Sequence, residues 1–409
     1  MGRAKKPCVV SLFTGAGGLD LGLEAAGFST KVCIEVDKDS RDTIRENRPH
    51  WKLTEPGDIF LVSPRKLLRQ SKLRRGKVDL LAGGPPCQPF SKAGYWVEGD
   101  AARLKDPRSK TLSAYLTMVN SILPKVILIE NVSGFAFEGK DEGLRFLKRG
   151  ITRINLKNKT KYKLEIFKIN AANFGVPQLR ERVFIVAHVK GKSFQMPDST
   201  HGAKDGLIPY TTAWDSIGDL NRKNWGNELN AKGRWARLLP TIPEGSNYLW
   251  HTSKSGGVPL FGWRTRYWSF LLKLAKNQPS WTIQAQPGPA IGPFHWKGRL
   301  LSVEELSRLQ TFPKNYKFSG NRTSIQRQIG NAVPCAIGEM IGLEIRRQLL
   351  GQNVRNGLTL IPKKRRFCPN AEKPRKVPKE YVAMKRKLRA HPGVGLGPRA
   401  KNRLNQKSD

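Results

Sequence analysis

Along the first 190 residues, short apolar runs alternate with stretches whose apolar positions recur every three or four residues. The runs Cys8–Phe13, Lys31–Val36, Val78–Ala82, Val126–Glu130, Leu164–Asn170 and Val183–His188 have the length and bounding residues of strands. The segments Leu19–Ala26, Asp39–Glu46, Pro64–Gln70, Leu112–Leu123 and Glu142–Lys148 carry the helical period instead. Parallel strands need a crossover of about this length, so the alternation predicts an α/β fold with a mostly parallel, doubly wound sheet.

Around Gly191 the pattern changes. Residues 191–298 have weak periodicity, are rich in Gly, Pro, Ser and Asn, and hold eight of the ten tryptophans. They predict a second, smaller domain of irregular or β-rich build. Periodicity returns at Leu301–Leu309, a helix with Ser302 as N-cap and Glu305 at the capping-box position. A last helix from about Cys335 to Leu350 is expected to rejoin the large domain. The division is therefore 1–190, completed by about 325–350, then a second domain and hinge over 191–324, then a tail over 351–409. The tail strings Lys363-Lys364-Arg365-Arg366, Lys373-Pro374-Arg375-Lys376 and Lys385-Arg386-Lys387 between Pro and Gly. Such composition buries too little apolar surface to offset its ordering entropy, which predicts a largely disordered tail.

Net charge changes this picture most. With 73 Lys and Arg against 32 Asp and Glu, the chain carries +41, which calls for a polyanionic partner. Neither an 18-residue apolar run nor a signal-peptide core follows Met1-Gly2-Arg3-Ala4-Lys5-Lys6, so nucleic acid is favoured over a membrane surface. Five cysteines, at 8, 33, 87, 335 and 368, show no metal-ligand spacing. They fit reduced thiols in a cytoplasm and no metal site.

Two segments carry candidate chemistry. Gly83-Gly84-Pro85-Pro86-Cys87-Gln88-Pro89-Phe90-Ser91 ends a strand with a stiff turn that presents one thiol at the strand's carboxyl end, a position suited to a nucleophile. Val9-Val10-Ser11-Leu12-Phe13-Thr14-Gly15-Ala16-Gly17-Gly18 runs a strand into a glycine-rich turn, with Glu35 ending the next strand where a ribose hydroxyl would need an acceptor. These parts suit NAD and S-adenosylmethionine equally.

From about Val9 to about Leu350 the motifs, in order, resemble the DNA (cytosine-5)-methyltransferase family of bacterial restriction–modification systems. The resemblance implies a Rossmann-like methyltransferase fold, a target-recognition domain over the irregular region, S-adenosylmethionine as cofactor and double-stranded DNA as substrate. It implies Cys87 as nucleophile, Glu130 at cytosine N3 and the exocyclic amine, Arg182 at O2, and Arg180 binding phosphate and ordering the loop after Cys87. Cofactor contacts are expected from Phe13, Gly15, Gly17, Gly18, Glu35, Val36, Asp58, Ile59, Pro86, Leu112 and Asn331. Ser11 stands where the family more often has Asp, and Val36 where many members have an aromatic residue. DNA contacts are expected from Ser91, Arg108, Gln178, Arg234, Arg237, Arg264 and Arg266. A monomer paired with a restriction endonuclease and associated with the nucleoid is the corresponding setting. Competing readings are a tRNA cytosine-5 methyltransferase, a catalytically silent DNA-binding regulator on the same fold, and a dehydrogenase.

Overall fold

The computed structural model describes residues 6–86, 110–136, 142–222, 224–262 and 267–384. Strand β1 (Cys8–Leu12) leads into α1 (Gly18–Ala25), β2 (Ser29–Ile34), α2 (Lys38–Asn47), a two-residue β3 (Lys52–Leu53), α3 (Pro64–Ser71) and β4 (Leu80–Gly83). After α4 (Lys110–Ile122) come β5 (Val126–Val132), α5 (Glu142–Asn158), β6 (Glu165–Asn170) and β7 (Glu181–His188). All seven strands pair into one sheet in the order β3-β2-β1-β4-β5-β7-β6. The pairs from β3 to β5 are parallel, while β7 lies antiparallel between β5 and β6. The expected helix at Glu142–Lys148 runs ten residues further, to Asn158, because Leu147, Ile151 and Ile154 keep one buried face through a basic stretch.

Alternation along the strands builds two apolar layers. Ile127, Ile129, Val183 and Ile185 face α4 and α5, whereas Val126, Leu128, Phe184 and Val186 face the layer that includes Leu19 and Leu23 of α1. The chain's later helices are α6 (Ala213–Ile217), α7 (Val303–Leu309), α8 (Arg322–Asn331) and α9 (Cys335–Glu344), the last continued by a π-helical turn over Ile345–Leu349. Ser302 and Glu305 form the reciprocal cap of α7: Glu305 N donates to Ser302 Oγ at 3.1 Å, and Ser302 N to Glu305 Oε2 at 2.8 Å. Helix α9 returns to the sheet against α1. Their approach is backbone to backbone at Gly22, where an added Cβ would sit 2.2 Å from Cys335 O.

Between 191 and 298 the described residues form isolated bridges and short helical turns but no strand, so the region is irregular and not β-rich. Its side chains make two further cores, one around Ile217, Leu274 and Trp296 with Leu306 and Ile329, the other around Leu238, Leu271 and Phe294.

The expectation of a largely disordered tail is corrected for residues 351–384. This strap follows the large lobe and then the irregular one. Thr359 and Leu360 donate backbone N–H groups to the fully buried Glu339, each at 2.9 Å, and Arg355 pairs with the same carboxylate. Further on, Arg365 Nη1 and Arg366 N reach the buried Asp215, both at 2.9 Å, and Trp214 Nε1 donates to Phe367 O at 2.8 Å. The strap ends in α10 (Lys379–Met384), where Tyr381, 2% exposed, completes the core around Leu238. Low average hydropathy concealed this because a few apolar side chains meet existing clusters and buried acids supply partners for the charge. Lys385-Arg386-Lys387 lies outside the described residues.

Candidate active site

A cavity of about 630 Å³ opens at the carboxyl ends of β1, β2, β4 and β5, on the side of the sheet where strand order reverses about β1. The sequence-derived candidates converge on it from both sides. Phe13, Gly15, Gly18, Glu35, Val36, Asp58 and Ile59 line one end; Pro86, Glu130 and Arg182 line the other; Asn331, at the end of α8, closes the rim.

The glycine-rich end is built by backbone geometry. Phe13 has φ 55°, a strained value for a residue with a Cβ, and Gly15 and Gly17 follow at 57° and 79°. A Cβ on Gly15 would meet nothing within 4 Å, leaving its backbone bare toward the cavity. The carboxylate of Glu35 pins this turn, accepting Gly15 N at 2.6 Å through Oε2 and Asp37 N at 2.8 Å through Oε1. Burial raises its pKa and those two N–H donors oppose the rise. Asp58 shapes the next turn by accepting Phe60 N at 3.0 Å. Val36 is 70% exposed at the cavity wall, an apolar surface open for a planar ligand to cover.

Two expected contacts fall outside the cavity lining, Gly17 and Leu112; where Gly17 would carry a Cβ, the Trp51 ring already stands 3.2 Å away. Leu112 is buried in the apolar layer of α4, and its neighbour Thr111 lines the cavity instead, because the helical turn points position 112 at the sheet. Residues outside the expected contacts also line the cavity, among them Ser11, Asp20, Asn131 and Arg327. The pattern Leu19-Asp20-Leu21-Gly22-Leu23 held the signal for Asp20: an acid inside an apolar helix that lies against the core.

At the other end, Gly83 lets β4 pass β1, since a Cβ there would lie 2.6 Å from Leu12 O. The two prolines follow, and Asn131 Nδ2 donates to Pro85 O at 3.4 Å, tying the turn to β5. Glu130 and Arg182 are diagonal neighbours on the β5–β7 ladder, where Glu130 pairs with Phe184 and Val132 with Arg182. Both continue the Leu128–Phe184 face to its rim, and Arg182 Nε meets Glu130 Oε1 at 2.9 Å. Burial raises the Glu130 pKa, opposed by the positive charges of Arg182 and Arg180. The pair thus offers a carboxyl able to hold a proton beside a fixed cation. Cys87 itself, one residue beyond Pro86, lies outside the described residues, as do Ser91, Arg108, Arg264 and Arg266. Three of the other cysteines, 8, 33 and 335, are buried thiols whose pKa burial raises, so they are poor nucleophiles.

Two expected surface roles are corrected. Arg180 is fully buried and spends its guanidinium on backbone carbonyls: Gly330 O at 2.7 Å, Ala332 O at 3.0 Å and Ile283 O at 3.3 Å. Gln178 is equally buried, donating to Gln310 Oε1 at 3.1 Å and accepting Ile283 N at the same distance. Neither can touch a phosphate from there; both fasten the joint between the sheet and the irregular lobe. Arg237 is exposed and pairs with Glu380 at 2.8 Å, and Arg234 lies over the Trp235 ring at 4.9 Å. Among the described residues no acidic, His or Cys cluster could hold a metal ion, and no helix is long and apolar enough to cross a membrane.

Residues 8–347 match the family model described as C-5 cytosine-specific DNA methylase. The type II methyltransferase M.SacI of Streptomyces achromogenes is 36% identical over 83% of this chain and 93% of its own length. The type II methyltransferase M.NgoFVII of Neisseria gonorrhoeae is 32% identical over 81% of this chain and 84% of its own. In fold, the chain is similar to a putative DNA modification methyltransferase from an E. coli prophage, with a TM-score of 0.58 and 23% identity, covering 84% of this chain and 100% of that one.

Proposed function

Because the chain belongs to the C-5 cytosine-specific DNA methylase family and is a DNA cytosine-5 methyltransferase, we propose that its cavity receives a flipped-out cytosine at the Pro86–Glu130–Arg182 end and S-adenosylmethionine at the glycine-rich end. The observation that carries this reading is that one cavity holds both constellations: a bare glycine turn pinned by Glu35, and a buried carboxyl–guanidinium pair beside the Pro-Pro turn that leads to Cys87. S-adenosylmethionine would supply an electrophilic methyl group. Glu35, Val36, Asp58 and Ile59, which line the cavity with Asn331 at its rim, would hold its adenosine half.

Carbon 5 of cytosine is too weakly nucleophilic to take a methyl group unaided. The Cys87 thiolate adds to carbon 6 while the Glu130 carboxyl hydrogen-bonds N3, and Arg182 stabilises charge developing at O2. The ring then carries an enamine whose carbon 5 is nucleophilic. After that carbon is methylated, loss of its proton and expulsion of the thiolate restore the aromatic ring and the enzyme. A stacked base offers neither carbon, so the cytosine must leave the duplex. The irregular lobe, with Arg234 and Arg237 beside its core, is the proposed reader of double-stranded DNA, and protection of host DNA beside a restriction endonuclease is the proposed setting.

Bisulfite sequencing of DNA treated with protein and S-adenosylmethionine tests activity and recognition sequence together. Cys87→Ser should abolish methylation and retain DNA binding, since only the chemical step is removed. Normal turnover by the Ser variant would end the covalent mechanism.

A further inference from the structure

The floor of the cavity holds a carboxyl group that the proposed chemistry does not use. Asp20, in the first turn of α1, is 1% exposed and lines the cavity together with the glycine-rich turn. Its Oδ2 accepts the Ser11 hydroxyl at 2.9 Å, and that hydroxyl lies 2.9 Å from Thr14 Oγ1. Its Oδ1 is buried and has no hydrogen-bond partner among the described residues. Glu35, on the opposite side of the turn, differs in kind, because both of its oxygens are taken by backbone N–H groups.

Among the described residues, no cation acts on Asp20. Glu24 stands one turn further along α1, Cys33 faces it from β2, Cys335 from α9, and Tyr316 from the loop after α7. Glu24 raises its pKa further, and only the Ser11 hydroxyl and its own backbone N–H oppose the rise. A carboxyl desolvated without a charged partner holds its proton, and burial pushes Asp20 up to about 7. An unpartnered acceptor on a residue that lines a ligand cavity points to a donor brought by the ligand.

We propose that Asp20 Oδ1 is the acceptor for a primary ammonium group, the α-ammonium of the amino-acid half of the bound methyl donor. This rests on the S-adenosylmethionine reading above. The step balances simply: the ligand keeps its three ammonium protons, the Asp20 carboxyl loses its proton to solvent, and an ion pair replaces a neutral acid. Binding is therefore coupled to proton release, and affinity falls as pH drops below about 7, by about tenfold per unit while the free site stays protonated.

The test is calorimetry with two ligands in buffers of different ionisation enthalpy. S-adenosylhomocysteine carries the amino-acid half, and methylthioadenosine lacks it. With the unaltered protein at pH 7, S-adenosylhomocysteine should release about half a proton, declining toward none by about pH 9, and methylthioadenosine should release none. Asp20→Asn should abolish the release and weaken S-adenosylhomocysteine at least tenfold while leaving methylthioadenosine unchanged. The two-ligand comparison needs no variant, so it stands even if Asp20→Asn folds poorly. Equal proton release with both ligands, or none with either, would overturn the assignment of Asp20. So would equal weakening of both ligands by Asp20→Asn, which would make the residue a prop for the turn through Ser11. If the protein bound neither ligand, the cofactor reading itself would fall, and the assignment with it.

Discussion

Tyr381 gives the most direct handle on the strap. It is 2% exposed, stacks on Trp235 with ring centroids 5.9 Å apart and planes at 19°, and donates its hydroxyl to Arg234 O at 2.8 Å. Truncating a buried aromatic side chain to Ala costs roughly 3–5 kcal/mol when the surroundings cannot collapse. Here the loss is capped by the free energy with which α10 docks, because the strap can detach locally and leave the rest folded. If the strap unfolds together with the core, a unit of ~350 residues gains about 2.1 cal/mol/K of entropy per residue on unfolding, so 3 kcal/mol lowers Tm by about 4 °C. Tyr381→Phe keeps the stack and removes only the hydrogen bond, for a cost of about 0.5–1.5 kcal/mol. Thermal melts of the full chain, of Tyr381→Ala and of truncations after residues 350 and 384 decide the matter. Truncation after 384 should melt like the full chain, and truncation after 350 at least as low as Tyr381→Ala. A truncation after 350 with an unchanged melt would refute the strap as part of the fold.

Glu130→Gln keeps the shape of the side chain and removes its charge and its exchangeable proton; kcat should fall about 10²–10⁴-fold with DNA affinity nearly intact, as methyl-transfer kinetics beside a binding assay would show. Gly22→Ala forces α1 and α9 apart and should cost about 1–3 kcal/mol or more in urea melts; a neutral result would mean that the helices yield easily. Removing residues 385–409 should weaken binding to cognate and random duplexes alike and flatten the salt dependence without changing the methylated sequence, since phosphate contacts carry no sequence information. A changed site preference after that truncation would assign those residues to base reading.

The sheet was legible because its central strands β1, β4 and β5 are buried on both faces and its crossovers are regular. Each expected strand forms, within two residues at either end or so, and the Ser302–Glu305 cap is present as written. Both ends of the cavity were legible for a different reason: turns that need glycine and proline leave a fixed trace in sequence. Leu112 shows where this stops, since motif spacing identified α4 but not which of two adjacent residues turns inward. The strap escaped notice because composition averages over a window, whereas docking depends on a few side chains finding partners far away in sequence. Arg355 finds Glu339, Arg365 finds Asp215, and Tyr381 finds Trp235.

Gln178-Leu179-Arg180-Glu181-Arg182 shows how one short pattern divides its labour. Gln178, Arg180 and Arg182 are spaced by two, yet of these only Arg182 reaches the cavity. Gln178 and Arg180 precede β7 at the joint between lobes, where Arg180 donates to the backbone carbonyls of Ile283, Gly330 and Ala332, the last shared with Gln310 Nε2. Arg180 suits that place because a planar guanidinium sends donors from two separate, rigidly held nitrogens to the two sides of the joint, whereas the three donors of a lysine share one nitrogen. The same guanidinium thereby holds Ile283 of the irregular lobe and the turn that flanks Asn331 at the cavity rim. The proposed DNA reader, the cofactor rim and the Glu130–Arg182 pair are thus registered to one another through two residues of chain. A mutation at Arg180 would accordingly disturb cofactor and DNA binding together, whereas one at Arg182 would act at the reacting base.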